Sequence, residues 1–490
     1  MPRPIKSWYF KKAFNTFFIF MNPDIKTEAK NYFDELAESR EHWIRKNRYY
    51  YHSLTNLFSF LIPPQKRVLE IGCGTGDLLA GLQTKKSIGV DISPKMIEVA
   101  RKKHPALKFY EMDAEELSLE EKFDYIIASD LISFLYDIKK AFVKWHKVCE
   151  PNTRIIITYY NFLWYPVISL AEKLRLKMPK AIHNWLSPND VKNILYLADF
   201  EVVKTGGILL FPRYIPVVST VINKYIARLP GFNRLCLVNY IVARPIPKQI
   251  ENHTVSVIVP ARNEKGNIEP LIKRFPALGK QTEIIFIGGG SSDGTNEEIQ
   301  RLLPLNNDKN IRFLIQKGIG KGDAIRLGFE NATGDILMIL DADLSVAPED
   351  LTKFYEAIAC GKGEFINGSR LVYPLQEESM RFFNVIGNKF FSLTFSWLLD
   401  QRIKDTLCGT KVLFKKDYDD IKNGRAYFGD FDPFGDFDLL FGATKLNLKI
   451  IELPVRYYAR TYGKTNISRW RHGWLLLKMT FFATRKLKFF

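Results

Sequence analysis

Two carboxylates, Asp341 and Asp343, stand two residues apart at the end of the apolar run in GDILMILDADLS. The run reads as a core strand, and a spacing of two sends both side chains to the same side of it. Carboxylates this close repel unless a cation holds them. A hard divalent ion that keeps waters and takes phosphate oxygens, Mg2+ or Mn2+, suits the spacing. A second constellation lies upstream in VLEIGCGTGDLL, from Val68 to Leu79, which reads as strand, glycine-rich turn and helix start. Gly72, Gly74 and Gly76 let the backbone bend tightly and bring main-chain N–H groups up to a ligand. The third glycine comes one residue early for the dinucleotide pattern, and Asp77 holds the place it should occupy. Glu70 adds negative charge, which a pyrophosphate would resist and a sulfonium or ammonium would favour.

Asp91, at the end of IGVDIS, is placed to accept both hydroxyls of a ribose, and Asp113 in EMDAEEL offers itself to an adenine amino group. FDYIIASD supplies a further strand end with Ser129 and Asp130. With these elements in order, the segment resembles the class I S-adenosylmethionine-dependent methyltransferases over roughly residues 40 to 245. The resemblance implies S-adenosylmethionine (SAM) as cofactor, at Glu70, Gly72, Gly74, Gly76, Asp91, Ile92, Asp113, Ala114 and Ser129. His183, in AIHNWLSPNDV, falls where that family covers its acceptor and is the candidate catalytic base.

The C-terminal half opens with VSVIVPARNE, a buried strand with Arg262, Asn263 and Glu264 at its mouth. Open α/β sheets collect ligands at such carboxyl ends. VIVPARNE, GGGSSDGT, GKGDAIRLG, DADLS, GSR, DTLCGTK and RTYGKTNIS follow in order, and this half is similar to the family-2 glycosyltransferases of the GT-A fold. Within that family it looks most like the dolichol- and polyprenyl-phosphate sugar synthases. The resemblance implies a nucleotide-diphosphate sugar at Pro260, Arg262, Glu264, Gly288, Asp293, Lys321, Asp341 and Ala342. It puts the metal on Asp341, Asp343 and Ser345, and a polyprenyl or dolichyl phosphate on Arg370, Arg460 and Lys464. In relatives the strand before GGGSSDGT ends in an acidic residue that contacts the nucleotide; Gly288 and Gly289 stand there instead. One such lost hydrogen bond costs about 1.5–3 kcal/mol. A lipid phosphate is already an anion and needs no strong base, whereas a sugar hydroxyl would need a carboxylate such as Asp436 or Asp438.

The elements that must position these groups come as strand-like runs alternating with helical patterns. RVLEIG, SIGVDIS, FDYIIASD and RIIITYY form one series; VSVIVPARNE, EIIFIG, IRFLIQ and ILMILDADL form another. This predicts an α/β protein of two doubly wound domains, a Rossmann-like methyltransferase and a GT-A glycosyltransferase, with a C-terminal amphipathic helix. The expected division is a basic, aromatic extension over 1–40, the first domain over 41–247, the second over 248–465 and the tail over 466–490. Pro245, Pro247 and the polar residues after them read as the linker.

A net charge of +18 calls for an anionic partner. Nucleic acid is not expected, because none of its usual binding modules is present. The 5 cysteines form no CxxC and suggest a reducing compartment. IIITYYNFLWYPVISLA is broken by Asn161 and Pro166, too early for a membrane span. The tail SRWRHGWLLLKMTFFATRKLKFF reads as an interfacial helix for an anionic membrane surface. The sequence therefore points to a bifunctional enzyme, cytoplasmic and peripheral at the cytoplasmic face of a membrane. Two alternatives stand beside it: transfer to a glycan hydroxyl, or one half acting as a binding scaffold.

Overall fold

The computed structural model describes residues 25–178, 184, 186–247, 252–372, 382–427, 436–458, 460, 462–463 and 469–489. The chain divides into two compact units and carries two seven-stranded sheets. The first sheet consists of β1 (Arg67–Ile71), β2 (Lys86–Asp91), β3 (Lys108–Glu111), β4 (Phe123–Ser129), β5 (Cys149–Tyr160), β6 (Phe200–Ile208) and β7 (Val238–Pro245). Their order is β3-β2-β1-β4-β5-β7-β6. β1 pairs in parallel with β2 and with β4, and is buried from Val68 to Ile71, as a strand covered on both faces must be. The order reverses between β1 and β4, which opens the crevice where α/β sheets bind ligands.

The helices along this part of the chain include α1 (Ile25–Leu36), α2 (Arg40–Lys46), α3 (Arg48–Leu61), α4 (Pro94–Lys103), α5 (Ile138–Trp145), α6 (Tyr165–Lys173) and α7 (Pro188–Leu197). α4 starts where Ser93 Oγ accepts the Met96 N–H and Pro94 presets the first turn. Two of the segments read from sequence take on regular structure. The segment read as an extension contains α1, whose Lys26 pairs with Asp113 and Glu115. Pro245, read as linker, closes β7 opposite Phe200, because a strand's end tolerates a residue without an N–H.

The second sheet runs β10-β9-β8-β11-β13-β12-β14. Its strands are β8 (Thr254–Ala261), β9 (Gln281–Gly288), β10 (Asn310–Ile315), β11 (Ile336–Ile339), β12 (Phe365–Ser369), β13 (Lys411–Phe414) and β14 (Ile450–Pro454). β10, β9, β8 and β11 are parallel, whereas β13 runs antiparallel to both β11 and β12. The sheet is therefore mixed, where the alternating pattern alone predicts parallel strands. The helices used below are α8 (Lys265–Arg274), α9 (Thr295–Leu302), α10 (Lys321–Asn331), α11 (Phe382–Leu399), α12 (Asp436–Lys445) and α13 (Arg469–Leu487).

The tail helix α13 has two apolar faces. Met479, Ala483 and Leu487, four apart, lie in the core with Phe395, Leu398 and Leu399 of α11. Trp474, Leu477 and Phe481 point outward and are exposed. Among the described residues no helix is long and apolar enough to cross a membrane.

One buried carboxylate fastens the parallel strands. Glu283 on β9 accepts from Ser256 Oγ of β8 at 2.6 Å, from Arg312 Nη1 of β10 at 2.7 Å, and from the Thr333 N–H and Oγ1 before β11 at 3.1 Å each. Burial works against its ionisation, but these donors outweigh it and hold its pKa below the ordinary carboxylate value. The stabilisation is therefore complete at neutral pH and is lost as pH falls through the folded-state value. Glu283→Gln should cost about 2 kcal/mol in urea unfolding at pH 7. The gap to the parent should narrow as pH falls below the ordinary carboxylate range, as the donors lose their ionised partner.

Candidate active sites

β1 delivers the chain into Gly72, Gly74 and Gly76, whose φ angles of 73°, 52° and 77° are left-handed. A Cβ on Gly74 would stand 3.0 Å from the Arg40 guanidinium, and one on Gly76 would stand 2.6 Å from the Phe109 ring. Asp91 braces the turn: its Oδ2 accepts the Gly74 N–H at 2.8 Å and its Oδ1 accepts the Ser93 N–H at 2.9 Å. Each oxygen keeps a further acceptor position. Burial raises the Asp91 pKa and pushes that of Glu70 up to about 8.

Glu70 Oε2 and Arg40 Nε are both buried with no hydrogen-bond partner. Burial works against the charge on Arg40, yet Tyr51, Asp91, Asp77 and Glu70 around it hold it charged. An orphaned carboxylate oxygen and an orphaned guanidinium N–H beside one glycine turn fit a ligand that carries an ammonium and a carboxylate. The amino-acid end of SAM has both. Arg40 is absent from the expectations drawn from the sequence. It sits in the polar stretch ESREHW, and only the folding of α2 onto the turn gives it a role.

The other expected donor-site residues fall around this turn, with some differences. Asp113 accepts the Glu115 N–H at 2.9 Å, and its other oxygen takes Lys26 at 2.7 Å. The expected adenine contact therefore already has a cation from α1. The Ala114 carbonyl accepts the Trp145 indole N–H at 2.9 Å, Ser129 Oγ lies 3.2 Å from Thr158 Oγ1, and Ile92 is half-buried after Asp91. Asp130 accepts the Tyr50 hydroxyl. His183 lies outside the described residues.

In the second sheet β8 and β11 are parallel neighbours, so Glu264 and Asp341 leave from adjacent carboxyl ends. Lys321, the first residue of α10, pairs with Asp341 at 2.6 Å. Arg460 pairs with Asp343 at 2.7 Å and stands 3.7 Å from Glu264. Burial works against the Asp341 charge, but Lys321, Lys411 and Arg370 outweigh it and lower its pKa. Glu264 lacks that balance; burial pushes it up to about 7, with the Asp343 charge adding to the effect.

Hard carboxylate oxygens fit Mg2+ or Mn2+, and two side-chain cations stand here where the ion's charge would act. Among the described residues no group of three or more His, Cys, Asp or Glu is arranged to hold a metal, so phosphate or water would complete its shell. Ser345, expected as a third metal contact, is buried and donates its N–H and Oγ to Asp343 Oδ1 at 3.0 and 2.6 Å. It orients the carboxylate.

The DTLCGTK segment folds over this pair. A Cβ on Gly409 would fall 2.1 Å from Asp341 Oδ2 and 2.5 Å from Lys321 Nζ, so only glycine lets the loop approach. Arg370, expected at the acceptor phosphate, is clamped by buried Asp405 through Nε at 2.7 Å and Nη2 at 2.8 Å. Asp438, a candidate base, is buried on α12 and paired with Arg425 at 2.8 Å. The side chain of Asp436 and all of Lys464 lie outside the described residues. Pro260 is half-buried, Ala342 buried and Arg262 exposed.

The glycine loop after β9 is filled. A Cβ on Gly288 would meet Asn296 Oδ1 at 2.5 Å and Phe313 at 2.8 Å, and one on Gly289 would meet Gln316 Nε2 at 2.8 Å. Asn296 Oδ1 and Gln316 Oε1 are buried without partners. Two amide acceptors thus lie where relatives carry an acid, and neither was read from the sequence. Asp293 accepts the N–H of Thr295, the first residue of α9, at 3.0 Å and the Tyr462 hydroxyl at 3.2 Å.

Comparison with known proteins agrees with both halves. Residues 256–420 match Glycosyl transferase family 2, and residues 43–205 match the family described as Methyltransferase domain. A dolichol-phosphate mannosyltransferase from Pyrococcus furiosus is 31% identical over 246 residues, covering 48% of this chain and 67% of that protein. The chain belongs to glycosyl transferase family 2. This member also aligns with an undecaprenyl-phosphate 4-deoxy-4-formamido-L-arabinose transferase from Aeromonas hydrophila, at 36% identity over 22% of this chain and 34% of that protein. The chain therefore spans only about a third of that relative's length. A solved SAM-dependent methyltransferase from Thermotoga maritima aligns with 44% of this chain and 98% of its own, at 23% identity and a TM-score of 0.36.

Gly409→Ala should displace Asp341 and Lys321. A displacement of about 1 Å at such a site costs about a hundredfold in rate. Sugar transfer at saturating donor should fall by that order while the unfolding midpoint of the chain changes little.

Proposed function

We propose that the chain joins SAM-dependent methyl transfer to metal-dependent, inverting transfer of a sugar from a nucleotide-diphosphate donor to a polyprenyl or dolichyl phosphate. The observation that carries the second activity is the pairing of Lys321 with Asp341 and of Arg460 with Asp343. A divalent ion on Asp341 and Asp343 would offset the charge of the departing diphosphate. Lys321 and Arg460, freed from the carboxylates, have the charge to bind phosphate oxygens of donor and acceptor. An acceptor phosphate oxygen forms the bond to the anomeric carbon as the bond to the diphosphate breaks on the far face. No proton has to be removed first. Asn296 and Gln316 are the groups to hydrogen-bond the nucleotide where an acid is missing.

In the other half, Glu70 and Arg40 hold the ammonium and carboxylate of SAM, and Asp91 holds its ribose. SAM held there would supply its sulfonium methyl group to the acceptor nucleophile. The exposed face of α13, with Trp474, Leu477 and Phe481, supports peripheral contact with an anionic membrane, placed at the cytoplasmic face.

Labelled nucleotide sugar incubated with polyprenyl phosphate and Mn2+ should give label that extracts into organic solvent. Arg460→Ala should cut that product by about a hundredfold or more. Label that stays in the aqueous phase on a glycan would favour the hydroxyl acceptor and overturn the lipid one. For the methyl donor, Arg40→Leu should weaken SAM binding by about 10- to 100-fold in calorimetry, as the loss of a charged hydrogen bond implies. Unchanged affinity would remove Arg40 from the site.

A further inference from the structure

Beyond β5 the chain enters NFLWYPVISLAEKLRLKM, residues 161–178, and this stretch is turned inside out. Within α6 only Ile168 is buried. Leu163, Tyr165, Val167, Leu170, Leu174 and Leu176 are each 51–60% exposed. Scattered exposed leucines are ordinary, but six large apolar side chains exposed within fourteen residues concentrate apolar surface on one segment. Its charge is one-sided. Lys173 and Arg175 are exposed along it, and Lys46 joins their edge by donating to the Arg175 carbonyl at 2.6 Å. The only acid in the stretch, Glu172, is paired with Lys177 at 2.9 Å.

The surface also adjoins the methyl-donor crevice. Lys177 Nζ lies 4.9 Å above the Tyr160 ring, Tyr160 stacks on Tyr50 at 5.9 Å, and the Tyr50 hydroxyl donates to Asp130 at the end of β4.

We propose that residues 162–176 are a membrane-docking surface of the methyltransferase half, which seats its crevice on an anionic bilayer so that the methyl acceptor is a bilayer-borne molecule. The inference rests on the reading of that half as a methyltransferase and is separate from the contact assigned to α13. Apolar side chains enter the acyl boundary while Lys46, Lys173 and Arg175 meet acidic headgroups, the pattern that defines an interfacial helix. An apolar protein partner would not account for the one-sided charge.

The test places an environment-sensitive dye on the full chain at Leu174→Cys, with a control dye at Glu98→Cys, an exposed position of α4. Vesicles of phosphatidylcholine with phosphatidylserine should shift the emission at position 174 to the blue, and pure phosphatidylcholine in high salt should not. The control should stay unchanged in both. A chain that sediments with anionic vesicles through α13 while position 174 reports water would overturn the proposal. So would a shift that needs no vesicles and grows with protein concentration, since the face would then join two copies of the chain. Leu170→Ser combined with Leu174→Ser should lower partition onto anionic vesicles by about tenfold or more. The thermal shift given by SAM is read on the same samples. Its absence would refute the methyltransferase reading without touching the vesicle result.

Discussion

A carboxylate taken out of water must be paired, hydrogen-bonded or protonated, and both halves of this protein are organised around that constraint. Parallel strands end with their acids pointing into a crevice. Asp341 and Asp343 leave β11 in this way, and Lys321 and Arg460 answer them. Glu70 lies in β1 and Asp91 ends β2; two backbone N–H groups answer Asp91, while Glu70 keeps an oxygen with no partner. Where a side-chain cation supplies the neutralising charge, a metal ion can take its place. Where it is missing, a ligand can supply it.

The same constraint separates site from scaffold. Glu283 and Asp405 are as buried as Glu70 and Asp343, but donors from neighbouring strands and loops satisfy them. Arg370 belongs with Asp405 for that reason, and so does Asp438 with Arg425. Glycine controls how closely the second layer approaches. Gly409 lets the DTLCGTK loop touch Asp341, and Gly74 leaves room for Arg40. In both cases a single methyl group would displace a charge.

Much of the site was legible because it lies in short contiguous segments. The three glycines after β1, the DxD after β11 and the strand-end acids each carry their context in the adjacent residues. Strands β6, β7, β12, β13 and β14 were less legible. They are pieces such as KVLF and FINGS whose partners are distant in sequence, so no local period marks them. The tail helix misled in another way. Its aromatic and basic composition reads as one amphipathic face, but three of its apolar residues are core and three are surface.

The sequence by itself determined the two α/β halves, the family of the second half, and which acids and glycines stand at the ends of the central strands. These follow from hydrophobic period and from residue types within a few positions of one another. Only the tertiary structure decided which charge meets which. Lys321 lies 20 residues from Asp341, Arg460 lies 117 residues from Asp343, and Arg40 lies 34 residues from Gly74. Only the tertiary structure, too, exposed the apolar residues of 161–178, a stretch that Asn161 and Pro166 mark in sequence only as too broken for a membrane span. Pairing and exposure are properties of packed surfaces, and no local pattern encodes what a distant segment will cover.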